Sequence, residues 1–312
     1  RRHTRYWRDW SSDVCSSDLH ELLIRGCTAD EAQTLAPSLA TLGQRVLHAT
    51  RPVQIRTFHS WFSALLRQAP AGILDQLQLP LQYQLLEDDT NAVAAVWPRF
   101  HAALLADPAA RADFDALVQS LGRHAAIEAL TDGLRRRIEF QLADAQQVLE
   151  GSVRPFGELF PQWAGLEHPA QSLLGAAAEE RWLARAKALG AQPQATPRGA
   201  ADGVIDAFAL DDAQVRFDIL RTAFFVKEPD RLKHNLTRYE AAQQAEAELQ
   251  PLCAAIRQHE GWLHHGRMTR LARVLVSKYA ELKRERGWVD MADLEYAALA
   301  LLRDPVVSGW VH

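Results

Sequence analysis

The most constraining feature of this sequence is a change of hydrophobic period at residue 57. From Val53 to Thr57, apolar and polar residues alternate, which is typical of a short strand with one buried face. After residue 57 the apolar residues recur at three- and four-residue spacing, which predicts a helix with one buried face. These residues are Phe58, Trp61, Phe62, Leu65 and Leu66. A strand that runs directly into a helix indicates an open α/β sheet, in which ligands bind beyond the carboxyl ends of the strands.

The predicted turn carries three polar side chains, those of Thr57, His59 and Ser60. Backbone N–H groups at the start of a helix suit a phosphate, and hydroxyl and imidazole groups add further donors. The alternative is a capped helix start without a ligand. For Phe58 and Trp61 the choice is between stacking on a base and packing in a core, and their helical spacing favours the core.

The remainder of the chain favours helices. Ala, Leu, Arg, Glu and Gln are strong helix formers and are frequent here, and β-branched clusters are few, which predicts a mainly α protein. Proline and glycine positions predict where the helices between Pro70 and His259 begin and end. The predicted boundaries are helix starts at Asp107–Pro108 and Thr196–Pro197, a break or kink at Trp97–Pro98, and interruptions at Gly151–Pro169 and Gly190–Pro197.

Before the period change, residues 20–49 are predicted to be helical. Thr28 and Glu31 have the spacing of a capping box, in which each satisfies a backbone N–H of the other. The predicted buried stripe of this segment comprises Ala32, Leu35, Leu39, Leu42 and Val46.

Near the end of the chain, a second helical stripe precedes Gly287, a favoured residue just beyond a helix. The stripe comprises Met268, Leu271, Leu275, Tyr279 and Leu282. Asp290 is predicted to cap one more helix, with Asp293 three residues later and Asp304–Pro305 as its end. The apolar face of that helix comprises Leu294, Ala298, Leu301 and Leu302.

Residues 1–19 match the in-frame translation of a sequencing-library adapter. The run from Asp9 to Leu19 back-translates to that oligonucleotide throughout. We therefore expect residues 1–19 to be a disordered, adapter-derived segment outside the fold. The alternative is a basic, aromatic arm that binds nucleic acid.

Charge and cysteine content exclude several classes of protein. The whole chain has a net charge of −4, which is not that of a protein that wraps duplex DNA by bulk charge. Outside the adapter-like segment, Cys27 and Cys253 lie far apart without metal-ligand spacing, which predicts a reduced, cytoplasmic protein without disulfides or a zinc site. No apolar run approaches the length of a membrane span, so we expect no membrane partner.

Three charged clusters have simple structural explanations. Arg135–Arg137 is predicted to be a solvated helix face, with DNA contact as the alternative. His264–His265 lacks the partners of a metal motif and is predicted to lie on the surface or at a helix end. Glu87–Asp89 is predicted to lie at a helix start, where acidic residues complement the helix dipole.

Two segments of the sequence resemble UvrD/RecB-type superfamily 1 DNA helicases. Ile55–Trp61 resembles their motif Ib, "I-x-T-F/I-H-S-F/W", and Tyr279–Leu302 resembles "Y-x-x-x-K…G-x-x-D-F-x-D-L…L-L", with Met291 where the family has Phe. Between them, the long helical region resembles the family's 1B subdomain, and Ser152–Pro161 resembles a run seen in bacterial members. The resemblance implies a partial RecA-like α/β domain over 20–69, a helical 1B-type insertion over 70–265, and a return to the RecA-like domain over 266–312.

What the resemblance implies about function is an ATP-dependent helicase that acts in double-strand break repair and recombination. The length of the helical insertion favours the RecB or AddA branch of the family over the more compact UvrD branch. Thr57, Phe58, His59 and Ser60 are then expected to contact single-stranded DNA, and the full-length protein is expected to use ATP and Mg²⁺ and to pair with a nuclease or helicase subunit. The phosphate loop G-x-x-x-x-G-K-[ST] is absent from the sequence and the chain ends before motif II, so we expect this chain alone to be catalytically inactive. The alternative is a non-enzymatic, all-helical scaffold or interaction protein.

Overall fold

The computed structural model describes residues 16–39, 41–48, 57–69, 71–77, 79, 82–226 and 230–303. Helix accounts for 79% of the structure and strand for 3%, so the prediction of a mainly α protein is confirmed. The chain divides into two compact units after Ala69. No helix within the described ranges is both long and apolar enough to cross a bilayer.

The first unit consists of short helices. They are α1 (Ser16–Ile24), α2 (Ala29–Leu39), α3 (Leu42–Leu47) and α4 (Phe58–Gln68). The predicted capping box at the start of α2 is confirmed: the Glu31 N–H donates to Thr28 Oγ1 at 3.4 Å, and the Thr28 N–H donates to Glu31 Oε2 at 2.9 Å. Residues 53–56 of the predicted strand Val53–Thr57 lie outside the described ranges.

Two predictions for this unit are wrong. Leu35, Leu42 and Val46 are 44%, 39% and 37% exposed, whereas Ala32 and Ala36 are buried. The predicted stripe requires one continuous helix, but α2 ends at Leu39 and α3 begins at Leu42. Residues on the two sides of this break therefore do not share one helical face. Residues 1–19 were expected to be disordered, but Ser16–Leu19 form the beginning of α1.

The second unit contains the remaining helices and two short strands. In chain order they are α5 (Ala71–Gln76), β1 (Gln84–Leu86), α6 (Thr90–Ala106), α7 (Pro108–Leu121), α8 (Arg123–Arg135), α9 (Arg137–Ala145), α10 (Val148–Ser152), α11 (Phe156–Leu159), α12 (Ala176–Gly190), α13 (Ala195–Phe208), α14 (Ala213–Phe224), α15 (Glu240–Arg286), β2 (Trp288–Asp290) and α16 (Met291–Arg303). Single 3₁₀ turns occupy Pro161–Trp163, Pro169–Leu173 and His234–Leu236.

Most boundaries predicted from proline and glycine are confirmed. Asp107 caps α7 by accepting hydrogen bonds from the N–H groups of Ala109 and Ala110, at 2.9 and 3.3 Å. The interruptions at Gly151–Pro169 and Gly190–Pro197 are present as short turns and as the gap between α12 and α13.

Two of the proline predictions are wrong, one of them in part. Helix α6 continues through Pro98, so the predicted break is absent, because Val96, Phe100 and Leu104 on its buried face offset the hydrogen bond that the proline removes. The alternative of a kink at Trp97–Pro98 stays a prediction. Helix α13 begins at Ala195, before the predicted cap at Thr196, and Pro197 lies buried in its first turn, where no backbone donor is needed.

Helix α15 is the axis of the second unit. Its 47 residues extend about 70 Å at the usual rise per residue. The first half packs against α12, α14 and the turn at Pro169–Leu173 in one apolar core. The second half packs against α6, α7 and α8 in another core, and the predicted stripe from Met268 to Leu282 lies there.

The domain boundary predicted between residues 265 and 266 lies inside α15. No turn interrupts the helix there, although Gly261 and Gly266 each lower its intrinsic stability by about 1 kcal/mol. Packing of apolar residues on both sides of this stretch outweighs that cost, because tertiary contacts rather than propensity decide helix length in a folded protein. The helix ends as predicted at Gly287, which has a left-handed φ of 66°.

The two strands form a small parallel sheet. Leu85 pairs with Val289 in its centre, and the Gln84 N–H donates to the carbonyl of Gly287 at 2.8 Å. Sequence analysis predicted a helix cap at Asp290 and missed β2, which is only three residues long. The sheet brings the segment after α5 against the segment that follows α15.

Candidate nucleic-acid contact and a buried ionic cluster

The start of α4 is a capped helix. Thr57 has extended backbone angles, and its Oγ1 accepts a hydrogen bond from the Ser60 N–H at 3.3 Å. The cap that the alternative interpretation required is therefore present. The phosphate contact at Thr57, His59 and Ser60 stays a prediction, and the Ser60 N–H already donates to Thr57 Oγ1. The Thr57 and Ser60 residues are exposed, and His59 is partly buried.

Two aromatic side chains at the start of α4 differ in exposure. Phe58 is 77% exposed, so the expectation that its ring packs in a core is wrong, whereas Trp61 is 39% exposed and is partly covered. Phe62 lies beside both rings, with centroid distances of 6.3 Å to Phe58 and 5.4 Å to Trp61. Leu65 and Leu66, one turn further on, supply the buried surface of this helix, which leaves its first turn as an exposed aromatic surface.

The second unit contains a buried ionic cluster centred on Asp290. Lys283 Nζ lies 2.8 Å from Asp290 Oδ2 and 2.5 Å from Asp293 Oδ2. Arg137 Nη2 pairs with Asp290 Oδ1 and lies 3.7 Å from Asp293 Oδ1. The cluster contains equal numbers of positive and negative charges, so its members neutralise one another in a site with little access to water.

The two aspartates also begin α16. The Asp293 N–H donates to Asp290 Oδ1 and the Asp290 N–H donates to Asp293 Oδ2, both at 3.1 Å. This reciprocal arrangement confirms Asp290 as the predicted cap. Leu294, Ala298 and Leu301 are buried as predicted, whereas Leu302 is 39% exposed. The expected end at Asp304–Pro305 lies outside the described ranges.

Tyr279 closes the cluster on one side. Its hydroxyl donates to Asp290 Oδ2 at 3.3 Å, and its ring centroid lies 4.7 Å from Lys283 Nζ and 5.3 Å from Arg137 Cζ. Burial and the charge of Asp290 raise the pKa of Tyr279 far above its ordinary value, so the phenol stays protonated. Burial alone would raise the pKa of Asp290, but Lys283 and Arg137 outweigh burial and hold that pKa below its ordinary value.

Arg137 is the member of the cluster that sequence analysis placed wrongly. Arg135 lies on a solvated face as expected, with its side chain 67% exposed, but the Arg137 side chain is only 6% exposed. The run of three arginines crosses the boundary between α8 and α9, so its last residue begins a new helix that points elsewhere. No local signal distinguishes Arg137 from its neighbours, because its partner Asp290 is 153 residues away.

A pocket of about 440 Å³ adjoins the cluster. Arg137, Tyr279, Lys283 and Asp293 form part of its wall, and the rest comes from the segment after α5 and from α9, α15, β2 and α16. The Nε atom of Arg137 is buried and has no hydrogen-bond partner in the described part of the chain.

The resemblance to helicases implies ATP and Mg²⁺ in the full-length protein, and the described residues offer no ready-made position for the metal. They contain no group of three or more His, Cys, Asp and Glu side chains arranged around a metal position. The closest candidates, Asp290 and Asp293, are occupied by Lys283 and Arg137. The acidic run Glu87–Asp89 precedes α6 as predicted, and Asp88 Oδ1 accepts hydrogen bonds from the N–H and hydroxyl of Thr90 at 2.8 and 2.6 Å.

The histidine pair and the Ser152–Pro161 run meet along α15. His265 lies in the middle of α15, where its Nε2 is 2.7 Å from the carbonyl of Leu149 and 3.0 Å from Ser152 Oγ. Of the two predicted positions, the helix end is therefore wrong, and both histidines of the pair are partly exposed. Gln258 donates to the carbonyl of Arg154 at 2.6 Å, which holds the same run against the helix.

We compared the chain with protein-family models, with curated proteins and with solved structures, and none of the three comparisons returned a significant match.

Proposed function

We propose that this chain is part of an ATP-dependent DNA helicase of the UvrD/RecB type, acting in double-strand break repair and recombination. In this proposal the first turn of α4 contributes to the single-stranded DNA track. The first unit is part of a RecA-like domain, the helical region is a 1B-type insertion, and ATP and Mg²⁺ bind elsewhere in the full-length protein. A nuclease or helicase subunit is the proposed protein partner.

The observation that carries the proposal is the exposure of Phe58 directly after the N-cap Thr57. An aromatic ring that is 77% exposed on a helix start is available to stack on a base. The Thr57 hydroxyl and the remaining donors of the first turn lie on the same short stretch of chain and suit the phosphate that joins one base to the next. Stacking on an aromatic side chain contributes about 1–3 kcal/mol per base and is tolerant of sequence.

The buried cluster gives the second helicase-like segment a physical reason for its spacing. Tyr279, Lys283, Asp290 and Asp293 are the polar residues that carry the resemblance there, and all of them belong to the cluster. In our proposal the cluster holds β2 and α16 in place for the segment that follows in the full-length protein. The role of the cluster in this proposal is structural, and its residues take no part in ATP hydrolysis.

Single-stranded DNA binding by the chain tests the proposal. A fluorescein-labelled oligothymidylate is titrated with the parent chain, with Phe58→Ala and with Tyr296→Ala, and the anisotropy is followed at low salt. Tyr296 is a matched control because it is an exposed aromatic residue, 41% exposed, on a helix of the other unit. We expect Phe58→Ala to weaken binding by about 5- to 100-fold, as loss of one stacked base requires, and Tyr296→Ala to leave it unchanged.

Two outcomes would contradict this function. If the parent chain shows no binding, or if Phe58→Ala binds as tightly as the parent, the track is not at α4, and the helical-scaffold alternative gains support. The helicase assignment has a separate test in the source DNA: a phosphate-loop motif is expected upstream in the same reading frame, and D-E-x-Q-D is expected downstream. A source DNA that carries neither motif would reject the assignment.

A further inference from the structure

Two histidine rings meet where the Phe156–Leu173 segment lies against α15. The ring of His168 stands perpendicular to that of His259, with 4.9 Å between their centroids. The ring of Phe156 also stands perpendicular to His259, at 5.3 Å, and Trp262 stacks on it at 6.1 Å. His259 is 8% exposed, so this contact is part of the packing between the segment and the helix.

The hydrogen bonds of His168 require a neutral ring. Its Nδ1 accepts from the Ala170 N–H at 3.2 Å and so begins the 3₁₀ turn at Pro169–Leu173. A nitrogen that accepts a hydrogen bond carries no proton, so the neutral ring has its proton on Nε2. Protonation of His168 places a hydrogen on Nδ1 as well, and the bond to Ala170 is lost.

His259 is also suited to the neutral form only. Its Nδ1 is buried and has no hydrogen-bond partner within the described ranges. A protonated imidazole has a donor on both nitrogens, and a buried donor without an acceptor costs about 1–3 kcal/mol, more when it is charged. The second ring adds to the cost, because two protonated rings at this distance repel each other.

From these contacts we propose that His168 and His259 form a pH-sensitive clasp, which holds the Phe156–Leu173 segment on α15 when both rings are neutral and releases it when either ring gains a proton. Other contacts hold the ends of the segment: Phe156, Ala170 and Leu173 are buried, and Arg216 Nη1 donates to the carbonyl of Leu173 at 2.7 Å. The apolar core that contains Leu173 includes neither His168 nor His259, so its packing does not depend on the protonation of either ring.

Burial and the neighbouring charges set the pKa values of the two rings. Burial lowers the pKa of His168 and the charge of Glu260 partly opposes it; burial, His168 and Arg267 all lower the pKa of His259. The ordinary value for both is 6.5. Because the folded values lie below the ordinary value, the clasp is complete above about pH 6.5 and is lost as the pH falls through the folded values.

Amide hydrogen exchange at about pH 7.5 and about pH 5, corrected for the intrinsic pH dependence of exchange, tests the clasp. We expect protection of the segment to fall about fivefold more than that of α13 when the pH is lowered, as the loss of a hydrogen bond of about 1 kcal/mol implies. His259→Phe keeps an aromatic ring without a proton site, and we expect it to abolish the extra loss. His168→Asn keeps a cap acceptor without a titrating ring and is expected to reduce the loss.

His124→Gln is the matched control, because His124 is exposed on α8. We expect this substitution to leave the pH response unchanged. Proton NMR titration of the two rings, assigned with the same variants, gives their pKa values directly. The clasp is rejected if His259→Phe and His168→Asn both retain the full pH response, or if both rings titrate at or above the ordinary value. If His259→Phe fails to fold, His168→Asn and the titration of the parent decide the question.

Discussion

Arg137 and Asp290 lie 153 residues apart in the sequence and form a buried ion pair. One residue begins α9 and the other begins α16, so the pair joins the helical region to the segment that follows α15. Lys283 completes the pairing from α15 itself. Three separate parts of the chain are therefore fixed at one point by charge.

Removal of Arg137 is expected to destabilise the protein strongly. Arg137→Ala leaves Asp290 buried without its full complement of positive charge, and loss of one partner of a buried pair costs about 3–5 kcal/mol. Urea denaturation measures the change in the free energy of unfolding. Arg135→Ala is the control: Arg135 pairs with Asp132 on the surface, and a change within about 0.5 kcal/mol is expected. Equal effects of the two substitutions would contradict the buried cluster.

The cluster also predicts how stability depends on acid. The positive charges of Lys283 and Arg137 hold the pKa of Asp290 below its ordinary value of 3.8 in spite of burial. Its contribution is therefore complete above about pH 5 and is lost as the pH falls through the folded value. Asp290→Asn should be less stable than the parent at neutral pH, with a difference that narrows in acid, as measured by urea midpoints across that range. Asp115→Asn, at an exposed ion pair, should show neither effect.

Helix α4 is expected to tolerate changes to its exposed ring but not to its buried face. Phe58→Ala removes a side chain that is 77% exposed and should change the free energy of unfolding of its unit by less than about 0.5 kcal/mol. Leu66 is fully buried, and Leu66→Ala should cost about 2–5 kcal/mol. Thermal or urea denaturation of both variants checks the contrast. A large loss of stability in Phe58→Ala would show that its effect on DNA binding is indirect.

Thr57 combines the cap of α4 with the proposed phosphate contact, and two substitutions separate the roles. Thr57→Ala should reduce the stability of α4 by about 1 kcal/mol through loss of the bond to the Ser60 N–H. Thr57→Ser keeps the hydroxyl and should preserve the cap and DNA binding together. Amide exchange in the first turn of α4 reports the cap, and anisotropy reports the DNA. Full protection in Thr57→Ala would contradict the capping bond.

Helices α13 and α14 are predicted to be sensitive to a single methyl group. A Cβ on Gly203 would lie 2.6 Å from the Cβ of Ala223, which forces the helices apart. Gly203→Ala should therefore cost about 1–3 kcal/mol, as overpacking of a core does. Gly199 lies on α13 with nothing near its Cβ position, so Gly199→Ala should instead stabilise by about 0.5–1 kcal/mol. Denaturant midpoints that move in the same direction for both variants would contradict this packing.

Local signals in the sequence predicted local structure well. The capping residues Thr28, Asp107 and Asp290 and the helix end at Gly287 depend on bonds to residues within a few positions, and all are as predicted. Pro98 was predicted to interrupt a helix because the propensity of one residue was known, whereas the core contacts of α6 that oppose it come from distant parts of the chain.

Long-range pairing was beyond local signals. Arg137 was indistinguishable from its two neighbours until Asp290 was seen beside it, and β2 is too short for an alternating pattern to reveal it. At α4 the helical spacing placed Phe58 and Trp61 on the same apolar face as Leu65 and Leu66. The buried part of that face begins only at Leu65, so core packing was predicted too close to the start of the helix. The DNA contact at these residues stays a prediction, and Phe58 is exposed where core packing was favoured.

The continuity of α15 has a consequence for how the second unit responds to cleavage. A continuous helix that is embedded in both apolar cores couples one core to the other, because no turn interrupts it between Glu240 and Arg286, although Pro251 lies within it. A protease cut at the exposed Gly261 would separate Leu271, Leu275 and Tyr279 from the half of the helix that anchors them. Both cores would then loosen together, so the unit should melt in one step before the cut and at a lower temperature after it.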